Sequence, residues 1–274
     1  MLPKLDHAAI TEFPSGAMEN FGFITYREVG LLLYTNYTEA QIYSNKKYIA
    51  RLLAHEFSPQ WWTYLFLNEG FATFFQYYVT NHLFPELGFD EDYRTAAIQA
   101  SLVNDVITNP ACVPMEYYVE EQTAIRGRFN YVSYQKAGSI IGMFLKQLER
   151  NFPKRSYKIL TENYYQAASP AELYKAIQEA YDEENPNGKL DIPKLMSSWS
   201  TQAGYPIVSI EKSGSKLKLS QTRYPSGNGE IYSVPLTFST ASKIDFATKT
   251  AGHWLTTKAK KLISKISISM KAIG

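Results

Sequence analysis

Apolar and polar positions change their period twice along this chain. Up to about residue 36, short aromatic and aliphatic runs (Ala8-Ala9-Ile10, Phe21-Gly22-Phe23-Ile24-Thr25-Tyr26 and Leu31-Leu32-Leu33-Tyr34) are separated by turn residues and predict strands. From about 39 to 203 the apolar residues recur at helical spacing. They predict helices over 39–58, 60–83, 91–107, 132–150 and 154–167, one from Ser169-Pro170 to about 183, and a last one near 191–203. Asn185-Pro186-Asn187-Gly188 and Gly204-Tyr205-Pro206 are the stop signals. After Pro206 the period becomes two: Ile207-Val208-Ser209-Ile210 and Lys216-Leu217-Lys218-Leu219 flank Ser213-Gly214-Ser215 as a hairpin, and Val234-Pro235-Leu236-Thr237-Phe238 begins another strand. The pattern is α+β, mostly helical, with strands at both ends.

One stretch on the first predicted helix carries chemistry. In His-Glu-x-x-His, two imidazoles four residues apart share a helix face and hold zinc, with the glutamate between them acting on water. Here the stretch reads His55-Glu56-Phe57-Ser58-Pro59, so the fifth position has no ligand atom and no backbone N–H. Taken alone, His55 on an aliphatic helix would be a packed or surface histidine, and Glu69 a capping or solvated carboxylate. Their surroundings change that. Upstream lies Gly16-Ala17-Met18-Glu19-Asn20, and downstream Leu67-Asn68-Glu69-Gly70-Phe71-Ala72.

In this order these motifs resemble the gluzincin zinc aminopeptidases of the aminopeptidase N type, membrane alanyl aminopeptidases. Trp61-Trp62-Thr63-Tyr64 is most similar to the insect enzymes. The resemblance implies that His55 and Glu69 descend from metal ligands, and that Glu56 corresponds to the general base acting on zinc-bound water. Glu19 corresponds to the carboxylate that holds a substrate's free α-amine. Gly16, Ala17, Met18 and Asn20 belong to the same substrate-binding segment, a strand edge on which peptide backbone adds. Tyr134, in Tyr131-Val132-Ser133-Tyr134-Gln135-Lys136-Ala137-Gly138, corresponds to the tyrosine that stabilises the oxyanion. Asn130 stands where the family often has aspartate and Gly142 where it often has arginine, departures expected to weaken local packing or charge pairing.

The spacing departs further. Nine residues, Gln60 to Asn68, separate Pro59 from Glu69, half the number in the family pattern between the second histidine and the glutamate. Pro59-Gln60-Trp61-Trp62 aligns better with a later family segment, so a deletion that includes the histidine accounts for the sequence. In a rival alignment Pro59 is a substitution; it also leaves no second histidine. With Ser58 as N-cap and Pro59 opening the next helix, Glu69 would lie roughly 15 Å along one helix and His55 about 4.5 Å back along the other, about 10 Å out of register. That expectation implies weak zinc binding or none.

Composition narrows the reading slightly. A formal charge of +2 gives no argument for nucleic acid. The single cysteine, Cys112, excludes an internal disulfide and is expected to be a buried thiol. Of the four histidines, His7, His82 and His253 lie at no ligand spacing and are expected to be structural. The start Met1-Leu2-Pro3-Lys4-Leu5-Asp6 does not read as a signal peptide, and no run is long and apolar enough for a membrane span. Family members are plasma-membrane ectoenzymes, which the resemblance alone implies. Asn36-Tyr37-Thr38 fits a glycosylation acceptor. In the tail, Ile266-Ser267-Ile268-Ser269-Met270 reads as an unfinished edge strand.

The expectation is therefore a partial thermolysin-like catalytic domain over 1–204 and a truncated β-sandwich over 205–274. The implied function is release of N-terminal, neutral or apolar amino acids from peptides with a free N-terminus, with this chain impaired. The alternatives are a non-catalytic peptide-binding fragment and an incomplete gene product.

Overall fold

The computed structural model describes residues 3–58, 62–107, 112–147, 167–213, 216–225, 230–237, 239 and 251–263. The expected helix over 154–167 and the expected strand at 266–270 lie outside the described residues, apart from position 167.

Three strands open the chain: β1 (Asp6–Ile10), β2 (Ala17–Met18) and β3 (Phe23–Arg27), in the order β1-β3-β2. β1 runs parallel to β3 and β2 antiparallel to it. β3 carries the sheet's buried positions, Ile24, Thr25 and Tyr26, and β2 is left at an edge. Gly22 takes φ 81° in the turn into β3, a conformation glycine adopts without steric cost. The strand expected over 31–34 does not form. The chain leaves the sheet instead through a short 3-10 turn, Glu28–Gly30, whose carbonyl at Glu28 accepts from Leu31 and Leu32.

Helix α1 (Glu39–Glu56) starts at Thr38, which accepts from the Gln41 N–H while the Gln41 side chain accepts from the Thr38 N–H, a reciprocal cap. Helix α2 spans Leu65–Leu83. Its start corrects the expectation at residue 60: Ser58 is not its N-cap, and Tyr64 takes that place without a side-chain bond. Asn68 does the local work. It accepts from the Trp62 N–H at 3.1 Å and donates to the Trp62 carbonyl at 3.0 Å, folding the incoming chain onto the helix's first turn. Trp62 also forms a bridge with Ala168 and stacks on Phe71 at 5.5 Å.

Next come α3 (Phe89–Asp92), a π-helical stretch Tyr93–Gln99 and α4 (Ala100–Ile107), a continuous helical run where one helix is expected. Pattern reading does not anticipate α5 (Gln122–Gly127), whose six residues are too few to show a period. A second π-helical stretch, Val132–Lys136, leads into α6 (Ala137–Gln147). After it α7 (Pro170–Glu184) begins as expected, with Ser169 and Glu172 forming a capping box and Pro170 at the first position. Asp191 caps α8 (Ile192–Ser200), and Gly204 at φ 80° turns the chain away. The hairpin follows: β4 (Tyr205–Ser213) pairs antiparallel with β5 (Lys216–Tyr224), Ser213 opposite Lys216. β8 (Ala259–Ile263) adds to the other side of β5, and β6 (Val234–Leu236) pairs with β7 (His253–Leu255).

The main core gathers α2, α6, α7 and α8. Its tightest point is the crossing of α2 and α6, where a Cβ on Gly70 would meet Ala137 at 2.7 Å and one on Gly138 would meet Thr73 at 2.8 Å. Gly142 is buried against Phe74 and Tyr93; an added Cβ would fall 2.1 Å from the Tyr93 hydroxyl. The glycine therefore permits close packing rather than weakening it. Asn130 also corrects its expectation. Its side chain donates to the Gly127 carbonyl and accepts from the Val132 N–H, two roles an ionised aspartate could not combine. Cys112 is only half-buried.

A buried ion pair braces the second π-helical stretch. Lys136 Nζ donates to Asp105 Oδ2 at 2.7 Å and to the Gly204 carbonyl at 2.8 Å, and Tyr131 donates to Asp105 Oδ1 at 3.0 Å. Trp199 and Tyr232 join the helices to the later strands, edge to face at 4.9 Å, with Trp199 donating to the Ser233 carbonyl and Tyr232 to the Ala203 carbonyl. A smaller apolar cluster, Leu217, Leu219, Leu236 and Leu255, lies among the strands beyond. Gln221 spans them. Its amide donates to the carbonyls of Tyr232, Leu255 and Thr257 and accepts from the Tyr232 N–H.

Two stability effects follow. Asp105→Ala leaves a buried ammonium uncompensated and should cost about 3–5 kcal/mol in urea unfolding. Gly142→Ala overpacks the contact with Phe74 and Tyr93 and should cost about 1–3 kcal/mol by the same measurement.

Candidate active site

The site assembles where the last turn of α1, the first turns of α2, the second π-helical stretch and the edge strand β2 converge. His55 and Glu56 close α1. Glu69 is the fifth residue of α2, and Tyr134 lies within the π-helical stretch. Glu19 follows directly on β2.

His55 and Glu69 are in contact, which overturns the expected offset of their depths. His55 Nε2 lies 3.3 Å from Glu69 Oε2. The expectation placed the start of the second helix at Pro59. Because α2 begins at Leu65, Glu69 stands one turn in rather than three, and the chain over 57–64 has length enough to return it to the level of His55. The pairing continues along the two helices, with the Arg51 guanidinium over the Tyr77 ring at 5.8 Å.

The imidazole is held on three sides. Tyr134 stacks on it, ring centroids 6.1 Å apart and the planes 13° from parallel. Nε2 faces Glu69, and Nδ1 lies 3.1 Å from Gln76 Oε1. Burial works against its charged form, but the hydrogen bond and charge of Glu69, followed by the charge of Glu56, prevail and raise its pKa. Tyr134 is raised in turn, first by burial, then by the charge of Glu69 and a hydrogen bond to it. The tyrosine hydroxyl therefore stays protonated and can donate.

Two further carboxylates face this pair. Burial raises Glu56 most, with Glu19 and Glu69 adding to it against the opposing effect of His55, and its pKa is pushed up to about 7. Glu19 is also raised, by burial first, while its hydrogen bond with Glu56 lowers it. Three carboxylates and one imidazole together favour a cation, and a group titrating near neutrality can take or give a proton at ordinary pH.

The segment 16–20, expected to bind substrate, is only partly brought to this centre. Ala17 and Met18 pair with Tyr26 and Thr25, among the described residues no strand pairs with the other side of β2, and the Gly16 carbonyl accepts from the Arg27 N–H. Asn20 is used within the turn, its amide donating at 3.4 Å to the Met18 carbonyl and to Thr25 Oγ1, so it supports the loop that presents Glu19. Of the remaining histidines, His7 is bonded to the Tyr26 hydroxyl at 3.0 Å and packs edge-on against Phe57.

A catalytic zinc takes three protein ligands and a water. Two ligand atoms on one tetrahedral zinc lie roughly 3.3 Å apart, given bonds of about 2.0–2.1 Å, so His55 and Glu69 stand at the separation of a ligand pair. Among the described residues no three His, Cys, Asp or Glu side chains form a group able to hold a metal, so the described donors by themselves do not fit a resident zinc.

Sequence reasoning missed Gln76 and Tyr26. Gln76 is two turns beyond Glu69, on the same face of α2, so helical periodicity could have found it. Tyr26 is fully buried on β3 and feels the charge of Glu56, a juxtaposition that depends on strand and helix packing and leaves no local trace. Among the described residues no helix is long and apolar enough to cross a membrane.

Comparison with known proteins agrees with this geometry. Over 255 residues the chain is 34% identical to Aminopeptidase M1 of Arabidopsis thaliana, covering 88% of this chain and 27% of that protein. It is 30% identical over 270 residues to Aminopeptidase N of Plutella xylostella, covering 92% and 28% of the two chains. It is 32% identical over 252 residues to Leucyl aminopeptidase of Saccharolobus solfataricus, covering 89% and 31%. The chain thus spans less than a third of the length of these relatives. The model of the Peptidase family M1 domain matches residues 1–199. With that match over most of its length, and with His55, Glu56, Glu69, Tyr134 and Glu19 converging on one centre, the chain belongs to peptidase family M1.

Proposed function

We propose that this chain carries the peptide-end recognition elements and two of the three protein metal ligands of an aminopeptidase, and that its own hydrolysis is impaired. The observation that carries the reading is the His55–Glu69 contact, a ligand pair with no third donor grouped beside it among the described residues. The names of the relatives support aminopeptidase chemistry for the longer proteins that they denote.

In this reading Glu19, with Glu56 and Glu69 behind it, accepts the α-ammonium of a peptide. Burial raises the value of that ion pairing, because a cation entering between carboxylates relieves their mutual repulsion. The open edge of β2 at Ala17-Met18 supplies backbone groups for the peptide's first residues. Tyr134 donates to whatever anionic oxygen approaches the centre, and Glu56 takes or yields a proton. The substrates of the parent protein are peptides with neutral or apolar N-terminal residues. Trp61-Trp62-Thr63-Tyr64 supports an aminopeptidase N type of insect-like form, and the shortened stretch from Pro59 to Glu69 supports a nine-residue deletion that removed the second histidine. Residues 1–204 are taken as part of a thermolysin-like catalytic domain and 205–274 as part of a β-sandwich, a division supported by the separate cluster around Leu217 and Leu255.

The second reading, a non-catalytic peptide-binding fragment, is favoured by the free edge of β2 beside the carboxylates. It needs no metal.

Two measurements check these readings. Elemental analysis of the purified chain should find well under one zinc per chain, and leucyl arylamide hydrolysis should not fall when Glu56 is changed to Gln. One tightly held zinc with turnover abolished by Glu56→Gln would refute impairment. Calorimetry should show binding of a short peptide that is lost on N-acetylation and in Glu19→Ala; equal heats with the acetylated peptide would remove the binding reading.

A further inference from the structure

The two ring nitrogens of His55 meet two side chains of one helix, Glu69 and Gln76, seven residues apart and on one face of α2. A ring stacked on Tyr134 can still turn over by half a revolution, exchanging its nitrogens and carbons. What distinguishes the two orientations is hydrogen bonding at both nitrogens, and what fixes the hydrogen on Nδ1 is its partner there. Gln76 presents its carbonyl oxygen, which can only accept, so Nδ1 must carry a hydrogen. That requirement is the same for the imidazolium and for one of the two neutral tautomers, and so does not depend on whether Nε2 is protonated. Glu69 selects the same orientation, because turning the ring over would put Cε1 in the place of Nε2, but it places no requirement on Nδ1. The neighbouring residues on α2 do not compete for Nδ1: Asn68 is turned back to Trp62, and the Thr80 hydroxyl donates to the carbonyls of Gln76 and Tyr77.

We propose that Gln76 is a positioning residue of this site: by accepting from Nδ1–H it fixes the hydrogen placement of His55 and, with Glu69, holds the ring orientation in which Nε2 is the nitrogen presented to Glu69 and to the centre. An outer partner of this kind does for a histidine what a carboxylate or backbone carbonyl does in metal sites, orienting the ring through the nitrogen not in use. The amide does so without adding a fourth negative charge to Glu19, Glu56 and Glu69. The inference concerns geometry that the chain holds without metal, and it stands whether or not the chain hydrolyses peptides.

The test is nitrogen-15 NMR of the full, chelator-treated chain, with the His55 signals assigned by their loss in His55→Gln. Nδ1 of His55 should show the shift of a hydrogen-bearing nitrogen, and its proton should exchange slowly with water. Gln76→Glu keeps an acceptor and should keep both signatures. Gln76→Leu should speed exchange of that proton by about tenfold, the equivalent of one lost hydrogen bond, while the other histidine signals report an intact fold. A hydrogen-free Nδ1 in the unsubstituted chain would overturn the proposal, since the amide would then be turned with its NH2 toward the ring. So would a Gln76→Leu chain whose other signals are native and whose Nδ1–H exchange is unchanged.

Discussion

The site depends on how closely α2 and α6 can approach. Glu69 leaves α2 immediately before Gly70, and Tyr134 lies a few residues before Ala137 and Gly138, the residues that Gly70 and Thr73 pack against. Any side chain at Gly70 or Gly138 would push the helices apart and take the tyrosine away from the carboxylate. The buried Lys136–Asp105 pair holds the π-helical stretch from the opposite side, where Gly204 and Tyr131 complete its hydrogen bonds. Packing of hydrogen-sized positions, more than any polar attraction, sets the distances on which the chemistry rests.

Around that crossing the charges are arranged with unequal proton affinities. His55 is raised by the carboxylates despite burial, and Glu56 and Glu19 are both raised mostly by burial. The glutamates and the imidazole thus shift one another's proton affinities within one buried centre. A purely structural cluster would be better served by apolar residues.

Much of this was legible in the residues themselves. Ser169-Pro170 marked a helix start, the loss of helical period after Pro206 marked the hairpin, and the motifs singled out the five residues that meet at the centre. The failures share a cause. Leu31-Leu32-Leu33-Tyr34 has strand composition but no strand beside it to pair with, so a 3-10 turn wins. Ser58-Pro59 has the composition of a helix start, yet Asn68 claims the backbone of Trp62 and moves the start to Leu65. That shift of one short segment turned an expected separation into a contact between His55 and Glu69.

Residue type and order thus determined which groups could take part: an imidazole at the end of α1, three carboxylates and a tyrosine. They determined the secondary structure wherever the signal was local, because caps, glycines and periodicity act within a few residues. Tertiary structure alone decided which groups touch. The depth of Glu69 against His55, the partnership of Gln76 with Nδ1 and the place of Tyr26 beneath Glu56 all depend on how helices cross and where a loop ends, which are sums over many distant contacts and are written at no single position.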